Sequence, residues 1–147
     1  MGNDLSMTSP SHQHGPVNGQ SHRPVNGRLN QEIANAVVRG HKRFLGRGPT
    51  RAQAFFRHNI VVVVMEVSLS EAERSLARHG AREAVLEMRH RCEEMMRAEL
   101  VQEVETLTGC RVEAFMTSHH IDPDLAAELF VLDRPVPAEP GPPVPDS

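Results

Sequence analysis

The sequence predicts an α+β domain of two layers, in which two helices cover one face of a four-stranded, mainly antiparallel sheet in the order α-β-β-α-β-β. Three observations carry that reading. Apolar residues recur every three or four positions in two segments, while four others alternate or run together as β-branched strings. Glycine, proline and capping serines fall at the joints between them. A sheet with one apolar face needs a layer on that face, and two helices supply it.

The first helix is read over Arg28 to Leu45, where Leu29, Ile33, Val37 and Phe44 keep helical spacing and Ala36 and Gly40 share their face. GRGPT, from Gly46 to Thr50, stops it. Ala52, Ala54 and Phe56 are then read as alternating with polar neighbours, His58-Asn59 offers a turn, and Ile60 to Val67 is an almost unbroken β-branched run. That run is expected to be buried on both faces. Ser68-Leu69-Ser70-Glu71 and Ser70-Glu71-Ala72-Glu73 are overlapping capping boxes that open the longest helical pattern, with Gly80 as a point of bending. Its stripe is read as Val85, Met88, Cys92, Met96, Leu100, Val104 and Leu107, and Gly109 ends it. Arg111 to Thr117 and Glu128 to Leu132 complete the sheet, with Phe115, Phe130 and Leu132 placed on the side away from the helices.

The ends differ from this domain, which is assigned to residues 28–134. Residues 1–27 are poor in large apolar side chains and repeat PVNG, and residues 135–147 are proline-rich, so both are expected to be disordered. No stretch approaches the ~18 apolar residues that a membrane span needs, and no charged n-region precedes an apolar core at the start. A cytoplasmic protein is the expectation. Cys92 and Cys110 form no CxxC pair and are expected as free thiols. The net charge of -3 gives no general attraction to polyanions.

GRGPT, the valine-rich strand, SLSEAERSL, the LTG helix stop and HIDPDLAAELFVL, in this order, are similar to the MpsC family, formerly a domain of unknown function, over about Leu29 to Asp133. The resemblance implies a link to a membrane-potential-generating, inorganic-carbon-related system and brings no catalytic residue set. A chain without a span would serve such a system as a peripheral partner of membrane proteins.

Two segments invite a functional reading. Between Arg39 and Arg57 lie six cations and no acid, so Arg39, Lys42, Arg43, Arg47 and Arg51, with Gly48 allowing close backbone approach, are the candidate anion or partner site. The plainer alternative pairs them with the ten glutamates that Glu66 to Glu105 sets against six arginines. In the second segment, His120, Asp122 and Asp124 form a possible site, read more simply as a turn. His119 and His120 would point to opposite sides of an extended chain and make poor co-ligands. Met88, Cys92, Met95 and Met96 are assigned to core filling. No metal, cofactor or catalytic group is therefore expected. The expected function is a non-enzymatic accessory or regulatory module, a homodimer acting by protein contact or anion sensing. A nucleic-acid-binding regulator using Arg39 to Arg57 is the alternative.

Overall fold

Alternation and helical spacing resolve into seven elements: α1 (Gly27–Leu45), β1 (Arg51–Arg57), β2 (Ile60–Glu66), α2 (Glu71–Arg78), α3 (Arg82–Thr108), β3 (Val112–His120) and β4 (Leu125–Leu132). The computed structural model describes residues 27–66 and 68–137. The readings of the tail over residues 1–26, of Val67 and of residues 138–147 lie outside the described residues. The sheet runs β1-β2-β4-β3 with every neighbouring pair antiparallel.

Strand side chains alternate between faces, so the register sorts the sheet into an inner and an outer surface. Phe56, Val61, Phe130 and Phe115 form one inward row, and Ala52, Met65, Ala126 and His119 another. Val61, Val63, Met65, Phe130 and Leu132 are fully buried. The expectation that Phe115, Phe130 and Leu132 face away from the helices is thus corrected. A register shift between Val112 and Ala114 turns Ala114 and Met116 outward and Phe115 inward, where its ring packs 4.8 Å from that of Phe130. The outer surface carries Phe55, Ile60, Val62, Val64, Met116 and Leu129, half-buried or exposed. Of the β2 run, then, only alternate members are sealed.

Above the inner surface, α1 buries Leu29, Ile33, Ala36, Val37, Gly40 and His41, while Phe44 is exposed. Gly40 is where α1 meets α3: a Cβ there would stand 2.9 Å from Leu100 Cδ2, closer than core atoms tolerate. Instead of one bent helix, two follow the capping box. Gly80 adopts φ +87°, which breaks α2 from α3. The box itself forms, with Ser70 Oγ accepting from the Glu73 amide and Glu73 Oε2 accepting from that of Ser70. On α3 the buried positions are Val85, Arg89, Glu93, Met96, Leu100, Val104 and Thr108. Of the sulfur-bearing residues assigned to the core, Met96 alone is fully buried, whereas Met88 and Met95 are exposed.

Arg89 explains how α2 is held. It donates to Glu73 (Nη2 to Oε2, 2.7 Å) and to the Ser68 carbonyl (2.7 Å), beside a small apolar cluster of Leu69, Val85 and Ile121. Both charges are buried. Burial disfavours an ionised Glu73, but the Arg89 hydrogen bond, the Ser70 amide and the Arg89 charge outweigh it and hold the carboxyl below its usual range. Removing one member strands the other in the interior. Arg89→Met is therefore expected to destabilise the fold by about 3 to 5 kcal/mol in urea denaturation, while the double variant with Glu73→Leu recovers part of that loss. Gly40→Val should lose about 1 to 3 kcal/mol in the same assay by forcing α1 from α3.

Candidate functional site

Polar residues sit at core positions of four elements and converge. On α1, His41 follows Val37 by one turn; on α3, Glu93 precedes Met96 by three residues; on β4, Glu128 alternates inward with Ala126 and Phe130. His119 comes from the inward side of β3. His41 Nε2 lies 2.7 Å from Glu128 Oε1 and 3.8 Å from Glu93 Oε1, and His119 Nε2 lies 2.8 Å from Glu93 Oε1. One ligand atom each from His41, Glu93 and Glu128 lies within 4.8 Å of the other two. These three residues are at most 1% exposed.

Two carboxylates this close in a low-dielectric interior cannot both carry charge without compensation. Burial pushes the Glu128 carboxyl up to about 7, against the hydrogen bond and charge of His41, with Glu93 pushing the same way. Burial also opposes ionisation of Glu93, but the His119 hydrogen bond and the charges of His41 and His119 prevail and hold it below the ordinary value. The pair divides its roles, Glu128 as proton holder and Glu93 as anion. Among the described residues several atoms have no partner: His41 Nδ1, Glu93 Oε2, Glu128 Oε2 and, opposite Glu128 on β3, Thr117 Oγ1. Each uncompensated group has a desolvation cost of roughly 1 to 3 kcal/mol. A groove lined by His90, Glu93, Arg97, Phe115 and Thr117 reaches the cluster from the surface between α3 and β3. Chemically, the arrangement can store and pass a proton or coordinate a cation.

The residues singled out in the sequence lie elsewhere. Arg39 pairs with Glu103 (3.7 Å), Arg43 with Glu99 and Arg51 with Glu66 (3.8 Å), while Lys42 and Arg47 are exposed. Gly48 lies against Val38, 3.2 Å from where its Cβ would stand. His120 points outward and its Nδ1 lies 2.8 Å from the Pro123 carbonyl; Asp122 is exposed. Asp124 accepts from the amides of Ser68 (3.1 Å) and Leu69 (3.0 Å), pinning the start of β4 to the segment before α2. The two histidines do point apart, at the end of β3, a strand longer than read, and the turn expected around Asp122 and Asp124 follows over residues 121–124. His41, Glu93 and Glu128 were missed. Their signal was a titratable residue on each apolar stripe.

The raised Glu128 pKa sets a sign for pH dependence. A carboxyl whose folded pKa exceeds its unfolded value contributes stability below the unfolded value, near 4.5, and loses it as pH rises through about 7. The depressed Glu93 acts in the opposite sense only as pH falls below 4.5. Glu128→Gln should therefore gain on the wild type by on the order of 2 kcal/mol between pH 5 and pH 8. Thermal melts of both proteins across that range, with chelator present, measure it; a constant difference would show that Glu128 does not titrate there.

Among the described residues no helix is long and apolar enough to cross a membrane. No curated protein and no solved structure matches the chain. Residues 25–134 match the family model described as MpsC, Na+-translocating membrane potential-generating system, and this span takes in every element of the fold and all four clustered side chains. By that match over most of its length, the chain belongs to the MpsC family.

Proposed function

We propose that the chain is a non-enzymatic accessory module of a membrane-potential-related system, acting by protein contact as a homodimer paired through the outer surface of its sheet. The apolar outer row Phe55, Val62, Leu129 and Met116 carries this reading. Together with Ile60, Val64 and Val131 it leaves the centre of a four-stranded face without a charge, and monomers rarely present such patches beyond a few hundred Å². Strands spaced by about 4.8 Å and rising about 3.3 Å per residue give the face roughly 400 Å² in projection, and side-chain relief enlarges that towards the ~800 Å² per partner of a standard interface. A second copy is the simplest matching surface, since a two-fold axis sets the same flat apolar patch against itself, as two sheets stack. The positive charges on this face, Arg51 and Arg57, stand at the two ends of the edge strand β1, outside the apolar centre.

The Na+-translocating work named in the family description needs a membrane path, which the described helices do not supply. The module's part in such a system is then peripheral, with the rims of the dimer and the arginine-bearing side of α1 left for a membrane component.

Light scattering behind size exclusion should give twice the chain mass at micromolar concentration. Val62→Glu and Leu129→Glu should each shift the protein to monomer with unchanged far-ultraviolet dichroism. A wild-type monomer under these conditions would overturn the reading.

A further inference from the structure

We propose that His41, Glu93, His119 and Glu128 form a binding site for one divalent transition-metal ion, of the zinc class, inside the domain. Four observations support it, and none depends on the outer sheet surface. The donor set is two imidazole nitrogens and two carboxylates drawn from four separate elements, the mixed N/O chemistry that zinc and its neighbours accept. Charge balances: two carboxylates and a divalent ion are neutral together with both histidines unprotonated, whereas a metal-free cluster must hold extra protons in a desolvated place. The unpartnered Glu93 Oε2 and Glu128 Oε2 provide the lone pairs that the existing hydrogen bonds leave unused. Finally, the groove between α3 and β3 gives an ion a way to Glu93.

Among His41, Glu93 and Glu128, whose ligand atoms lie within 4.8 Å of one another, the geometry requires little rearrangement, and His119, held on Glu93, has to move in towards the other two. Around an ion with bonds of about 2.0 to 2.2 Å, neighbouring tetrahedral ligand atoms stand roughly 3.3 to 3.6 Å apart. The separations present, 2.7, 2.8 and 3.8 Å, straddle that range. Each contact changes by about 0.2 to 0.9 Å, and protons held between histidine and carboxylate leave as the ion enters. Hard cations such as Na+ prefer all-oxygen shells, so two imidazoles argue for the softer divalent metals.

The test uses the full chain, stripped with chelator and titrated in KCl buffer with Zn2+, and with Co2+ as an absorbing surrogate. Expected are one ion per chain with a dissociation constant below about 1 μM, a heat of binding that varies with the buffer's ionisation enthalpy as protons are released, and the visible absorption of a four- or five-coordinate Co2+ site. Glu93→Gln and His119→Gln should each weaken Zn2+ by more than about 100-fold, beyond the 10- to 100-fold that loss of a supporting residue costs. Dichroism of the metal-free variants confirms folding, and Glu128→Gln, which replaces a carboxylate oxygen by an amide without changing shape, should likewise weaken Zn2+. Replacing His12, His14 and His22 together should leave binding intact. Absence of stoichiometric Zn2+ and Co2+ from the wild type overturns the proposal, as does binding that survives Glu93→Gln and His119→Gln or that vanishes with the three N-terminal histidines.

Discussion

A carboxylate aimed into the core from the middle of a central strand is the constraint around which the domain is arranged. Glu128 stands between Val63 and Thr117 in its row, with Phe130 and Ala126 on either side along β4. A one-residue slip of β4 would expose Glu128 and bury Leu129, which fits the apolar layer better, yet it would also drive Phe130 and Leu132 into solvent. The apolar pattern therefore forces the carboxylate inward, and His41 must be there to meet it. From that contact the rest follows: α1 is fixed in rotation about its axis, Glu93 brings α3 to the same point, and His119 ties in the outermost strand. Elements that would otherwise be joined by interchangeable hydrophobes acquire one specific relative placement.

Much of this was legible in the chain. Element types and order follow from spacing, and the capping box at Ser70 and Glu73 marks a helix start with its mechanism. The misreadings have physical causes. A left-handed Gly80 costs nothing sterically, so a helix pattern that runs through it does not reveal whether the backbone bends or breaks. The shift near Val112 inverted the faces of β3, because alternation alone cannot register an extra residue. On α3, Val85, Met96, Leu100 and Val104 are buried as read, but the apolar choice of Met88, Cys92 and Leu107 misses by one residue the buried Arg89, Glu93 and Thr108. Sequence hydrophobicity ranks Arg89 and Glu93 lower; only partners from other elements make them the better ones to bury, and those partners are separated by as many as 87 residues.

The charges that stand out in the sequence do scaffolding work at the surface, while those that stand out in the structure were inconspicuous. Arg39 and Arg43 reach glutamates of the neighbouring helix, contacts that are individually weak in water but consistent with the α1 to α3 packing. Asp124 spends its carboxylate on two backbone amides. The sheet meanwhile separates two kinds of chemistry by a single thickness of backbone: titratable groups sealed on one side, bare hydrocarbon on the other. Neighbours along one strand, such as Glu128 and Leu129, alternate between them, so a strain or displacement on either side is carried through the same peptide ladder.

The attachment of α2 has a further consequence. Its eight residues expose Leu76 and bury chiefly Glu73, so what fastens it to the body is ionic and capped, with little hydrocarbon beneath. Such a segment has a local opening free energy well below that of the whole domain and detaches as its own cooperative unit, a foldon, with amides that exchange long before those of β2 and β4. Acid, which protonates the Glu73 carboxylate, loosens this helix from α3 first.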